Sequence, residues 1–319
     1  MRKVASLRWL AVLALLCCCI TARGEDVTDL TLHWQGRQIR AAFSDQFAPE
    51  QQRALFNGWI AFIARSLGQV YGRWPREVQD ITVTPISAGG HDPIPWAQVH
   101  RGPVDRVDFF VASSASAEAL RQAWTGYHEL AHLLIPYRGW GDAWFSEGLA
   151  TYYQNLMQTR AGVLSEQAMW QKLYEGFQRG RNDRGFDGKT LSQVSDRLRQ
   201  DGGFMRVYWS GAWYFLSADL LLRRQSGGAL TLDLALEKLN ACCADASLSV
   251  PEMVAKLDRL NGVVLFQPLY EQVAASTRQP GFESLFESLG MTIAGGHIEL
   301  RTDGPGANLR RQIVSAHPG

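Results

Sequence analysis

Between Thr125 and Pro136 the chain reads TGYHELAHLLIP, and two histidines four residues apart restrict what this segment can become. Leu120, Ala123, Tyr127, Leu130 and Leu134 recur at intervals of three and four, the spacing of an apolar helix stripe. Ser116 is suited to cap the start of that helix, and Pro136 stops it near Ile135 because proline cannot donate to the carbonyl one turn back. On such a helix His128 and His132 lie about 40° apart around the axis, so their imidazoles project side by side. Two nitrogens so placed can bind one zinc ion, and Glu129, rotated about 100° from His128, can reach a water there without itself ligating metal. With seven histidines in the chain, a chance His-Glu-x-x-His is expected in roughly one such sequence in a hundred. The bland alternative is a helix with one core histidine and one exposed histidine.

A zinc site needs a third protein ligand, and the next acidic residues stand in GWGDAWFSEGLATYYQNL. Asp142, after Gly139 and Gly141, reads as the N-cap of a second helix. Phe145, Leu149, Tyr152 and Leu156 form its apolar stripe, which leaves Glu147, Ala150 and Thr151 on another face. A carboxylate on that face, between small neighbours, is what a site of two histidines and one glutamate with an open fourth position requires. Farther on, RVYWSGAWYFLSADLLLRRQSGG reads as a long helix with Tyr208 near its start and Gly211 one turn later, small enough to allow close approach. On spacing alone, Tyr208 is merely the first aromatic of a helix that also holds Trp209, Trp213, Tyr214 and Phe215.

His-Glu-Leu-Ala-His followed by Trp-Phe-Ser-Glu-Gly-Leu-Ala-Thr-Tyr-Tyr resembles the gluzincin metallopeptidases, in particular the glycyl-aminopeptidase-like branch related to the leukotriene-hydrolase-type aminopeptidases. The resemblance runs from about residue 95 to the end and is specific only in the blocks quoted. It implies a thermolysin-like, mostly helical catalytic part and one zinc ion per chain held by His128, His132 and Glu147. It also implies that Glu129 is the general base, that Tyr208 stabilises the tetrahedral intermediate, and that the substrate is a peptide or protein. The chain departs from the pattern in three places. Only fourteen residues separate His132 from Glu147, so the connecting turn must be tight. Thr151 stands where relatives place an acidic residue supporting a ligand. The acidic residue that grips a substrate amine from an edge strand is not visible either. WAQVHRG occupies that place and offers Val99 and His100, the latter a substrate contact or simply a strand residue at the cleft rim. The missing amine anchor tilts the expectation towards an endopeptidase or an unusual exopeptidase.

The remainder of the chain supplies context. Arg2, Lys3 and Arg8 precede and flank an apolar run from Trp9 to Ile20 that is too short to span a bilayer, so residues 1–24 read as a signal peptide cleaved after Gly24. Lipidation at Cys17 is the weaker reading, because Leu16 is an unusual neighbour for it. No later run has the length of a membrane helix, and the mature protein is expected in an extracytoplasmic space, periplasmic or secreted. Cys242 and Cys243 remain after signal removal and read as a structural pair or inert thiols. Residues 25–115 look strand-rich, with a hairpin in LTLHWQGRQIRAAF, a helix from Pro49 to Tyr71, and strands in ITVTPI, WAQVHRG and VDFFVAS. Residues 116–319 have mostly helical period, ending in a tail with a short strand and a final amphipathic piece. The whole predicts an α+β fold, a strand-rich N-terminal part packed against a helical zinc-peptidase region with the cleft at their junction. A net charge of +1 with mixed signs offers no basic face for nucleic acid. These observations predict an exported zinc metallopeptidase. The alternatives are a zinc hydrolase of non-peptide bonds on the same scaffold and a binding protein with a vestigial metal site.

Overall fold

The computed structural model describes residues 26–28, 30–87, 90–139 and 141–315. The export segment, residues 1–24 with Cys17, lies outside the described residues.

Six strands form one sheet: β1 (Asp26–Thr28), β2 (Thr31–Trp34), β3 (Arg37–Phe43), β4 (Val78–Ile86), β5 (Trp96–His100) and β6 (Asp105–Ala112). Their spatial order is β1-β2-β3-β4-β6-β5. The first three form an antiparallel meander, β4 and β6 continue parallel to β3, and β5 returns antiparallel to β6 as the edge. A parallel step needs a crossover, and the helical stretch foreseen from Pro49 to Tyr71 supplies it. It consists of α1 (Pro49–Leu55), a π-helical turn (Phe56–Ile60) and α2 (Ala61–Tyr71). Alternate residues of β4 and β6, among them Ile81, Val83, Val107, Phe109 and Val111, are buried. Trp59 of the crossover meets Phe109 edge-on at 5.2 Å between ring centroids.

The helical part follows as α3 (Ala117–Gln122), α4 (Trp124–Ala131), α5 (Ala143–Arg160), α6 (Glu166–Asn182), α7 (Leu191–Asp196), α8 (Leu198–Asp201), α9 (Phe204–Ser226) and α10 (Leu232–Cys243). Further helices, a hairpin and a last helix (Gly304–Val314) complete it. The sheet-then-helix order matches the sequence pattern, and one hydrophobic core runs through both parts. In the tail the hairpin has two strands, Met291–Ala294 and His297–Leu300, where the sequence pattern suggested one. Gly295 and Gly296 join them with φ of 57° and 83°, a left-handed pair that suits a two-residue turn. No helix among the described residues is long and apolar enough to cross a membrane.

The helix foreseen from Ser116 to Ile135 is two helices. Ser116 does cap α3, accepting from the Ala119 amide at 3.1 Å, but Ala123 turns extended with ψ of 130°. The break is tolerated because the carbonyls it would orphan find other donors. The Tyr127 hydroxyl donates to Arg121 O at 2.8 Å and the Gln158 amide to Gln122 O at 3.0 Å. Helix α4 therefore starts afresh at Trp124, with its own axis.

The far end of α4 is tied to the sheet. Arg101, one residue beyond β5, donates to His132 O at 2.5 Å and to Ile135 O at 3.4 Å. Its other terminal nitrogen lies 2.8 Å from Asp105 Oδ2, which also has Arg76 Nε at 2.9 Å, while Arg138 stands 3.6 Å from Oδ1. Burial lowers Arg101 to about 10, against the raising influence of Asp105, so it stays charged at neutral pH. Arg76 also donates to Ala244 O just past α10, beside Cys242 and Cys243, which are joined to each other as a disulfide.

Candidate active site

Helix α5 is buried on nearly every side, not along one stripe: Trp144, Phe145, Ser146, Gly148, Leu149, Ala150, Thr151 and Tyr152 are all covered. Its start is set by a run of left-handed residues, Gly139, Gly141 and Asp142, with φ of 87°, 66° and 45°. Glycine adopts this region without penalty and aspartate tolerates it, which is how the short connection from His132 turns back. Asp142 occupies the N-cap position as expected, but its carboxylate does not cap the helix. It accepts instead from Trp144 Nε1 (3.0 Å), Ser192 Oγ (2.9 Å) and the Tyr270 hydroxyl (2.6 Å), fastening the start of α5 to its neighbours.

Helices α5 and α9 touch backbone to backbone. A Cβ on Gly148 would lie 2.2 Å from Gly211 Cα, and one on Gly211 would lie 2.2 Å from Trp144 O. This contact sets the site's register, since Glu147 immediately precedes Gly148 and Tyr208 stands one turn before Gly211. The Tyr208 phenol lies within electrostatic reach of the Glu147 carboxylate, and its ring stacks on His128 at 5.9 Å between centroids. Burial and then the Glu147 charge push the phenol well above its ordinary value, so it remains a proton donor at any working pH.

His128, His132 and Glu147 converge, each offering a ligating atom, and these atoms all lie within 4.8 Å of one another. Glu147 Oε2 is 3.2 Å from His128 Nε2 and 3.8 Å from His132 Nε2. The remaining ring nitrogens are occupied from α5: His128 Nδ1 is 2.8 Å from Gln154 Oε1, and His132 Nδ1 is 2.9 Å from Ser146 Oγ. The Gln154 amide oxygen accepts from His128 Nδ1, which leaves Nε2 as the nitrogen that faces the Glu147 carboxylate. Burial drives His132 down to about 3, opposed by Glu147, so this imidazole is neutral at neutral pH. For His128 burial also works against charge, but the Glu147 carboxylate outweighs it and the net shift is upward. Glu147 is drawn down to about 2; burial opposes this, and the two histidines prevail. Glu129 is pushed up to about 7, by burial first, with Glu147 adding to the rise and His128 opposing it.

Gln154 and Ser146 are absent from the sequence reading. Gln154 lies seven residues after Glu147, two turns along and within about 20° of the same face, so helical arithmetic could have flagged it. It supports His128 in place of an acid at Thr151, whose buried hydroxyl makes no hydrogen bond. His100 sits on the edge strand with Nε2 2.8 Å from Asp108 Oδ2 and is paired within the sheet. The neighbouring Arg101 is what reaches the helix bearing the histidines.

Residues 140–214 match the M61 glycyl aminopeptidase family, a stretch that holds Glu147 and Tyr208 but not the histidine pair. No curated protein matches the chain. Among solved structures, an aminopeptidase N family protein from Idiomarina loihiensis superposes with a TM-score of 0.61 at 15% identity, over 82% of this chain and 49% of that one. An M1 zinc metallopeptidase from Deinococcus radiodurans, bound to a Tyr-Ser-Ala substrate, gives 0.49 at 17% identity over 78% and 51%. Yeast LTA4 hydrolase with bestatin gives 0.48 at 16% identity over 80% and 41%. The chain thus spans about half the length, or less, of these structures. Its two-part architecture of sheet and helices is that of the aminopeptidase N fold. The family resemblance is thus carried by residues 140–214, and the likeness to the aminopeptidase N family protein is one of fold.

Proposed function

We propose that this protein is a zinc metallopeptidase, with one ion held by His128, His132 and Glu147. The observation that carries this reading is the donor set itself: two imidazoles and a carboxylate from two helices, with ligating atoms within 4.8 Å and the outer imidazole nitrogens already hydrogen-bonded. Buried histidines whose second nitrogen is fixed in this way present a lone pair in a set direction, as metal-binding histidines do. When bound, zinc at such a site supplies Lewis acidity and brings the pKa of a water down towards about 7.

The protons fall to the chain's own residues. Glu129 lies beside the donor set, under the electrostatic influence of both His128 and Glu147. It is the group to take a proton from the attacking water and return it to the departing amine. Tyr208 donates to the oxygen of the scissile carbonyl as negative charge develops there. Tyr208→Phe is therefore expected to lower kcat by roughly a hundredfold to a thousandfold with little change in KM, as read from steady-state kinetics. Gln154→Leu leaves the Nδ1 proton of His128 without an acceptor. It should weaken zinc binding by about 10- to 100-fold, measurable by competition with a chromophoric chelator.

The basic start and the apolar run from Trp9 to Ile20 support an enzyme that works outside the cytoplasm. The reading as a whole is tested by metal content and cleavage together. Purified protein should carry close to one zinc, lose casein cleavage on treatment with ortho-phenanthroline, and regain it when zinc is returned. Cleavage indifferent to the chelator would overturn the proposal. Hydrolysis of esters without any peptide would move it to the non-peptide hydrolases.

A further inference from the structure

Each helix that brings an aromatic or imidazole ring to the site opens with an exposed aromatic one turn ahead of it. Trp124 begins α4 four residues before His128, and Phe204 begins α9 four residues before Tyr208. Side chains at that spacing share a helix face, and here their rings touch. Trp124 meets His128 edge-on at 5.5 Å between centroids, His128 stacks with Tyr208 at 5.9 Å, and Phe204 meets Tyr208 edge-on at 6.2 Å. The four rings run without a gap across the site and are open to solvent at both ends, with Trp124 48% and Phe204 45% exposed. Among the described residues only one other aromatic side chain is so exposed, Trp96 at 60%, and it starts β5, the edge strand packed beside α4.

Single exposed apolar side chains need no explanation. Two that abut the proposed metal ligand His128 and the proposed oxyanion donor Tyr208 are a different matter, because aromatic surface beside a reacting centre is where binding energy and selectivity are gained. We propose that Trp124 and Phe204 form the walls of the substrate cleft and select peptides with a large apolar or aromatic side chain next to the cleaved bond. This rests on the peptidase reading above and extends it to the substrate. The opposite outcome, rings that fill the cleft so that only glycine fits, would leave the rings themselves covered. About half the surface of each stands open instead.

The test uses the full-length protein carrying Glu129→Gln, loaded with zinc, so that binding is measured without turnover. Two end-blocked pentapeptides, identical except for phenylalanine or glycine at the centre, are titrated by calorimetry. The phenylalanine peptide is expected to bind roughly tenfold to a hundredfold more tightly, the discrimination a hydrophobic pocket supplies. Adding Phe204→Ala or, separately, Trp124→Ala should bring that ratio towards one while zinc content stays the same. Because the two substitutions sit on different helices, loss of folding in one leaves the other decisive. Equal affinity for the two peptides, tighter binding of glycine, no measurable binding of the phenylalanine peptide, or a ratio untouched by both substitutions overturns the proposal. Parallel cleavage assays on the protein with Glu129 intact separate the two readings. A preserved binding ratio with neither peptide cut, whether end-blocked or with a free amino terminus, removes the peptidase and keeps the recognition surface. Equal cutting of both peptides removes the selectivity and keeps the peptidase.

Discussion

Replacing Glu129 by glutamine is expected to take peptide hydrolysis down by roughly a hundredfold to ten-thousandfold, with the protein folded and its zinc retained. The amide has the shape of the carboxylate but cannot accept the proton of the attacking water, and Glu129 is not one of the three converging ligands. A second readout is independent of catalysis. In the chelator-treated protein burial holds this carboxyl up to about 7, against an ordinary 4.5. A raised carboxyl favours the folded state fully below the unfolded value of 4.5, and that contribution is lost as pH climbs through 7. At about pH 8 the folded parent therefore holds an anion that burial disfavours, at a cost on the order of a few kcal/mol. The metal-free Gln variant lacks that anion and should unfold at a higher temperature than the metal-free parent, with the gap closing below pH 4.5. Retained peptidase activity would remove Glu129 from the chemistry, and a melting difference independent of pH would show that its carboxyl is not raised.

The largest effect on stability is expected at Gly148. Alanine normally favours a helix interior over glycine by about 1 kcal/mol, so Gly148→Ala should help α5 if local propensity decided the matter. Packing decides otherwise. The added methyl would stand 2.2 Å from Gly211 Cα and 2.3 Å from its carbonyl carbon, both backbone atoms that cannot rotate away. The helices must separate, which is expected to cost about 3 kcal/mol, or roughly 6 to 12 °C in Tm for a domain of this size. Because the same contact sets Tyr208 over Glu147, kcat should fall with stability. Gly185→Ala, where an added methyl meets nothing within 4 Å, is the control and should leave both unchanged. Equal thermal stability of Gly148→Ala and its parent would mean that α5 and α9 are not in backbone contact.

The convergence of His128, His132 and Glu147 was legible because helices report their geometry through spacing. A spacing of four between the histidines and a glutamate in the next helix fix directions that side chains cannot easily escape. Two features were hidden for opposite reasons. The break at Ala123 has no proline or glycine beside it, since the carbonyls it frees are satisfied by Tyr127 and by Gln158 of a different helix. The buried state of α5 is masked by its serine, threonine, glutamine and asparagine residues, which suggest an exposed face yet lie in the interior. Strand order was not readable either. The sheet places β6 between β4 and β5, so the last strand in sequence is not the edge, and that depends on long-range pairing.

Asp105, at the first position of β6, gathers Arg76, Arg101 and Arg138 around one carboxylate, and Arg101 in turn holds the carbonyl of His132. The sheet is therefore more than a neighbour of the helices: it supplies the cationic cap on the last turn of the histidine helix. An isolated helical half would lose that clamp and leave the second imidazole on a fraying end. The strands thus fix the backbone that carries His132 as well as building the core beside it.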